Sequence, residues 1–266
     1  MKKEIKMRYL LFILTFLMVS TAHAELKKET IEYQDGGTIL EGYLVYDDAI
    51  EGKRPGVIVV HDWMGPGAYS NGRAEQLAQL GYAAFAVDIY GKDVRPKDQK
   101  EAGEQAGQYK GNRALMRSRA KAGLDALSAQ PMVDPTRVAA IGYCFGGTTA
   151  LEMGRAGMPL SGIVSFHGGL QTPSPAEKGA VKAKVLVLHG ADDPLVPPAE
   201  VEDFQKEMNS AGADWQMVYY SGAVHSFTRP DAGDDKSKGV AYNEKADKRS
   251  WEAMKVFFSE IFNQNK

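Results

Sequence analysis

Val138-Ala139-Ala140-Ile141-Gly142-Tyr143-Cys144-Phe145-Gly146-Gly147-Thr148 sets a short apolar run against a glycine-rich turn. Four consecutive apolar residues read as a strand buried on both faces, and the stretch from Gly146 to about Arg155 reads as a helix. Gly142-x-Cys144-x-Gly146 at such a junction has the form of a nucleophile elbow with cysteine in place of serine. The turn is sharp, so a Cβ two positions either side of the nucleophile would strike the neighbouring strand or helix. Cys144 would project at a helix N-terminus, where free N–H groups and the dipole stabilise a thiolate or an oxyanion. Taken alone, the same residues fit a small buried cysteine in a glycine-rich turn equally well. No lysine follows the glycines, so the loop is not a phosphate-binding P-loop.

Outward from this turn the pattern repeats. Val57–Val60, Ala83–Val87, Ile163–Phe166, Val185–Leu188 and Met217–Tyr220 are short apolar runs. They alternate with core stripes at helical spacing: Met116, Ala120, Leu124 and Leu127; Val201, Phe204 and Met208; Trp251, Met254, Phe258 and Ile261. Thr30–Tyr33 and Thr38–Tyr46, joined across Gln34-Asp35-Gly36-Gly37, read as an antiparallel hairpin. The sum predicts an α/β protein, a doubly wound and mostly parallel sheet with an antiparallel N-terminal edge. No linker and no repeat divides the chain. Ligands in this architecture sit at the carboxyl ends of the strands, which draws attention to His61-Asp62-Trp63, Asp192-Asp193 and His225. Cys144, then Asp192 or Asp193, then His225 follow the hydrolase order of nucleophile, acid and base. His61 and His189 read as structural imidazoles, and His167, after Phe166, is placed to line the site but precedes the acid in the chain.

Composition narrows the classes. The 266 residues are 25% charged and 9% aromatic with a formal charge of −2 and no block of like charge. That excludes a disordered chain and argues against nucleic-acid binding. A single cysteine excludes a disulfide framework and any multi-cysteine metal site. Lys2, Lys3, Lys6 and Arg8 precede an apolar run, Tyr9 to Val19, and the small-residue Ala22-His23-Ala24. This order reads as a secretory signal peptide over 1–24, since the run is shorter than the ~20 residues a bilayer needs. Cleavage after Ala24 removes four basic residues and one acid (Glu4), so the formal charge of −2 becomes −5 on a single domain, 25–266. The expectation is a soluble exported protein, periplasmic in a bacterium, with no membrane anchor.

The chain resembles the dienelactone hydrolase family, the carboxymethylenebutenolidase-like α/β-hydrolases. The resemblance is carried by Gly142-Tyr143-Cys144-Phe145-Gly146-Gly147, Gly190-x-x-Asp193-x-x-Val196-Pro197, His225-Ser226-Phe227 and Ala241-Tyr242-Asn243 leading to Trp251. It implies an α/β-hydrolase fold, Cys144 as nucleophile, His225 as base and Asp193, rather than Asp192, as the orienting acid. It also implies a carboxylate beside the thiol, a position held here by Asp62 where the family usually has glutamate. Lys92 stands where an arginine usually holds the substrate carboxylate, and Arg229 matches a second anion-binding arginine. Tyr143 is expected to touch substrate.

The implied reaction is hydrolysis of an ester or lactone of a small, anionic molecule through a thioester, without metal or organic cofactor. The backbone N–H groups of Trp63 and Phe145 would form the oxyanion hole, and the Asp62 carboxylate would keep the thiol protonated until substrate arrives. Two other classes fit parts of the pattern. One is a non-catalytic exported binding protein, which has no need of nucleophile, acid and base in order. The other is a redox protein, which lacks a resolving cysteine.

Overall fold

The computed structural model describes residues 25–263; the leader over 1–24 lies outside them. Eight strands form one sheet in the order β1-β2-β4-β3-β5-β6-β7-β8. β1 (Leu26–Asp35) and β2 (Thr38–Asp47) make the expected antiparallel hairpin about Gly36, whose φ of 57° suits glycine. β2 pairs antiparallel with β4 (Ala83–Val87), and β4, β3 (Arg54–Val60), β5 (Val133–Tyr143), β6 (Gly162–Phe166), β7 (Lys184–Gly190) and β8 (Trp215–Tyr220) run parallel. β1 is longer than the sequence suggested. As an edge strand wet over much of its length, it takes Lys27, Lys28 and Glu29 without needing an apolar face.

The strand interiors alternate between two cores. Ile58 and Val60 face one cluster, with Met116, Ala120, Leu124 and Leu127 of α3 (Arg113–Ser128), α4 (Phe145–Arg155) and Phe204 and Met208 of α5 (Pro198–Ala211). Val57 and Val59 face the other, with Ala74 and Leu77 of α1 (Ala68–Gln79) and Met254 and Phe258 of α6 (Glu244–Asn263). A sheet covered on both faces is what the continuous apolar runs demanded. β8 departs from that reading: it is the other edge, only Tyr220 is buried, and Tyr219 is 49% exposed.

The polar stretch Lys92–Asn112 contains a helix the sequence had not suggested, α2 (Gln99–Gly111). Asp98 caps it, its carboxylate accepting from Glu101 N at 2.9 Å. Three glycines and an apolar side of only Ala102, Ala106 and Tyr109 hid the 3.6-residue period. None of the described helices is long and apolar enough to cross a membrane.

Candidate active site

The elbow forms because its glycines leave no room for anything larger. A Cβ on Gly142 would come within 2.8 Å of Gly147 N and closer still to the Gly146 carbonyl; one on Gly146 would come within 2.5 Å of the His61 carbonyl oxygen. Cys144 therefore takes a positive φ of 54° between β5 and α4. Its N–H donates to the Phe166 carbonyl at 3.0 Å, tying the turn to the next strand. His167 and Ser226 are the other non-glycine residues with positive φ among the described residues, and both border the same site.

Asp193 follows β7, and His225 lies in the loop after β8. One Asp193 oxygen accepts from Leu195 N at 2.9 Å, which aims the other at His225 Nδ1, also 2.9 Å away. His225 Nε2 stands 3.0 Å from Cys144 Sγ. The histidine loop is pinned at its main chain: His225 N donates to Gly239 O, and Ala241 N donates back to His225 O. Asn243 N donates to Phe227 O, and its side chain reaches Gly222 O at 3.2 Å while capping α6 through Ala246 N. The Ala241-Tyr242-Asn243 motif thus serves as a clamp on the His225 loop.

The electrostatics join thiol and imidazole into one unit. Burial pushes the Cys144 thiol up, but the facing His225, Lys110 and the Phe145 N–H together hold it below the ordinary thiol value. Burial likewise opposes charge on His225, and Cys144 and Asp193 overcome it, holding the imidazole above its usual range. Both shifts run in the direction of a thiolate–imidazolium pair. The sulfur opens onto a cavity of about 340 Å³ bordered by Trp63, Thr148, Leu195 and Ser226. Phe145 N–H faces the sulfur, and Trp63 sits on the cavity wall with its carbonyl held by the Tyr90 hydroxyl at 2.9 Å.

The other expected site residues fare differently. Asp62 does not hydrogen-bond the thiol: it accepts from Met64 N at 2.8 Å and pairs with Arg229. Aspartate, one methylene shorter than glutamate, is held at the arginine. The expected raising of the thiol by a neighbouring carboxylate is therefore corrected, since an imidazole stands beside the sulfur and acts the other way. Arg229 is also bound by Asp231 at 2.9 Å and lies over the Tyr69 ring, so each of its three side-chain nitrogens already donates to a carboxylate of the protein. Lys92 lies away from the cavity, paired with Glu32 and, at 3.8 Å, with Glu41 of the hairpin. Tyr143 is fully buried, stacked on Phe166 at 4.6 Å, and belongs to the core. Asp192 is exposed in the turn beside Asp193.

His61 accepts from Ile89 N and stacks on Phe145; burial pushes it down to about 3, a neutral structural imidazole as expected. His167 stands behind the base, 5.3 Å between ring centroids, with Nε2 2.7 Å from Thr228 Oγ1. The sequence reading missed Lys110. It reaches the cavity from α2 on the same face as Gly103, Ala106 and Gly107. The spacing of those four, i, i+3, i+4 and i+7, is the signal that could have found them.

Residues 40–262 match the model of the dienelactone hydrolase family. The structure of a dienelactone hydrolase-like promiscuous phosphotriesterase from metagenomic libraries is 44% identical, with a TM-score of 0.85 over 89% of this chain and 98% of that one. Protein usf of Aquifex pyrophilus is 28% identical over 239 residues, spanning 87% of this chain and 98% of its own length. A Bradyrhizobium protein named as a probable 2-oxo-3-(5-oxofuran-2-ylidene)propanoate lactonase is 27% identical over 213 residues, 75% of this chain and 85% of its own.

Proposed function

We propose, for a chain that belongs to the dienelactone hydrolase family and is accordingly an ester or lactone hydrolase, that it works through Cys144, His225 and Asp193 on small anionic substrates. The observation that carries this reading is the pair of contacts at His225: 3.0 Å to the Cys144 sulfur and 2.9 Å to the Asp193 carboxylate, at the edge of a cavity. Asp193 holds Nδ1 and so fixes the tautomer and tilt of the ring. The Cys144 thiolate attacks the carbonyl carbon, and the Phe145 and Trp63 N–H groups receive the negative charge on its oxygen. As the tetrahedral adduct collapses, the C–O bond breaks and His225 gives its proton to the departing alkoxide. Water then loses a proton to the now neutral His225 and attacks the thioester, releasing the acid and restoring the thiolate–imidazolium pair.

Mass spectrometry during turnover of a 4-nitrophenyl ester tests the scheme. An acyl adduct on the Cys144 peptide and loss of turnover in Cys144→Ala are expected; full turnover by that variant would overturn it. The 44% identity to a protein described as a phosphotriesterase adds aryl phosphotriesters to the substrate panel. The basic, apolar and small-residue order of residues 1–24 supports export to the periplasm. Fractionation with N-terminal sequencing checks this, a mature start at Glu25 being the expected result.

A further inference from the structure

The structure assigns substrate selection at this site to Lys110 on α2, an inference that rests on the proposed triad and names a residue outside it. Apart from the triad, Lys110 is the one charged residue among the described residues on the cavity wall. Among the described residues it has no carboxylate within ion-pair distance, whereas Lys92 and Arg229, the two cations expected to hold an anionic substrate, are both paired with carboxylates of the protein itself. Its place is on the wall of the cavity that opens on the sulfur, and its charge, behind the larger effect of His225, acts in the direction that lowers the Cys144 thiol.

The helix that carries it is shaped to give access. Gly103, Ala106, Gly107 and Lys110 form one face, so Lys110 stands at the end of a wall with almost no side chains. A Cβ on Gly107 would meet nothing within 4 Å, and one on Gly103 would only touch the Trp63 ring at 4.0 Å. Each glycine costs the helix stability, and each leaves depth beside the cation. An ester or lactone carrying a carboxylate at one end can therefore lie along this wall, its anion at Lys110 and its carbonyl at Cys144. A lysine gives a point charge rather than a two-pronged fork, so the preference is for an anion as such and not for one exact carboxylate geometry.

The test compares anionic and neutral substrates of matched shape on the mature protein: 4-nitrophenyl hydrogen glutarate against 4-nitrophenyl pentanoate for the acid side, and 4-acetoxybenzoate against phenyl acetate for the alcohol side. The quantity read is the anionic-to-neutral ratio of kcat/KM in each pair, normalised to the wild type, so that intrinsic reactivity cancels. In Lys110→Gln at least one ratio should fall by roughly tenfold, in line with the loss of a charge-assisted contact. Lys110→Arg should restore most of it, and Lys110→Glu should push it lower still. The loss should sit mainly in KM. A parallel fall for anionic and neutral substrates, with both ratios unchanged, would mean that Lys110 acts only on the thiolate and would overturn the assignment. So would ratios that respond to Arg229→Gln instead. Cys144→Ala is run beside these: turnover surviving there counts against the triad, whatever the ratios do.

Discussion

Helices α4 and α2 both border the catalytic cavity, yet every residue of α4 is buried, whereas α2 buries only Ala102, Ala106 and Tyr109. α4 is held at its far end by a buried ion cluster: Glu152 receives Arg117 at 2.6 Å and Arg155 at 3.0 Å, and Arg155 reaches on to Glu207 of α5 at 2.7 Å. Its near end carries Cys144, the proposed nucleophile, on glycines wedged between strands. α2 instead presents glycines to open space and a cation to the cavity. The contrast separates two tasks. Bond-making needs atoms fixed to a fraction of an ångström, so it is built where packing permits no alternative. Recognition of a substrate's remote end tolerates a looser wall, and there the chain gives up helix stability for room.

The largest effect should come from breaking the rigid side. Gly146→Ala places a methyl against the Val60 and His61 carbonyls. A cost of at least ~3 kcal/mol should lower the melting temperature by roughly 6–12 °C or leave no soluble protein, as calorimetry would register. Asp193→Asn keeps the shape but misassigns the imidazole tautomer; kcat for an activated ester should drop by about 10²–10⁴-fold.

The thiolate–imidazolium pair gives the pH dependence. Turnover should fall as pH drops through the lowered Cys144 pKa, because the nucleophile is protonated. It should fall again as pH rises through the raised His225 pKa, because the leaving group loses its acid, and be flat between. Iodoacetamide alkylation should accordingly titrate below the ordinary thiol range. In His225→Gln burial is left unopposed by the imidazolium, so the titration moves upward and labelling near neutral pH slows by roughly tenfold or more, one pKa unit being a factor of ten. The smallest effect belongs to α2. Gly107→Ala adds a methyl in free space and should raise the melting temperature by roughly 2–4 °C, from about 1 kcal/mol of helix propensity. It should also begin to fill the wall beside Lys110. A lower melting temperature would show that α2 is packed as tightly as α4.

The same contrast explains what the sequence made legible. Elbow, acid and base each follow a strand with an apolar run, so position alone pointed to Cys144, to the Asp192-Asp193 pair and to His225, and the resemblance to the family chose Asp193 between the two acids. The side chains lying farther from strand ends could not be placed that way. Lys92 and Arg229 share a charge with the residues they were compared to, but Glu32, Asp62 and Asp231 of the protein itself pair with them. The Lys92–Glu32 and Arg229–Asp62 pairs join residues 60 and 167 positions apart and leave no local trace in a sequence, whereas Asp231, two residues after Arg229, stood in plain view. Tyr143, next to the nucleophile, turned into the core because strand alternation points neighbours to opposite faces. α2 was overlooked for the reason that makes it useful, a helix face made of glycine and alanine.

The three non-glycine residues with positive φ among the described residues, Cys144, His167 and Ser226, have a bearing on how this protein can evolve. Such backbone conformations cost of order 1–3 kcal/mol each for residues with a side chain. Selection for heat resistance alone would favour glycine or asparagine at 167 and 226, where the relief is immediate. Each replacement would loosen the bed on which the His225 ring rests. Variants drifting toward greater durability should therefore lose turnover first through these two positions, while the triad residues themselves stay unchanged.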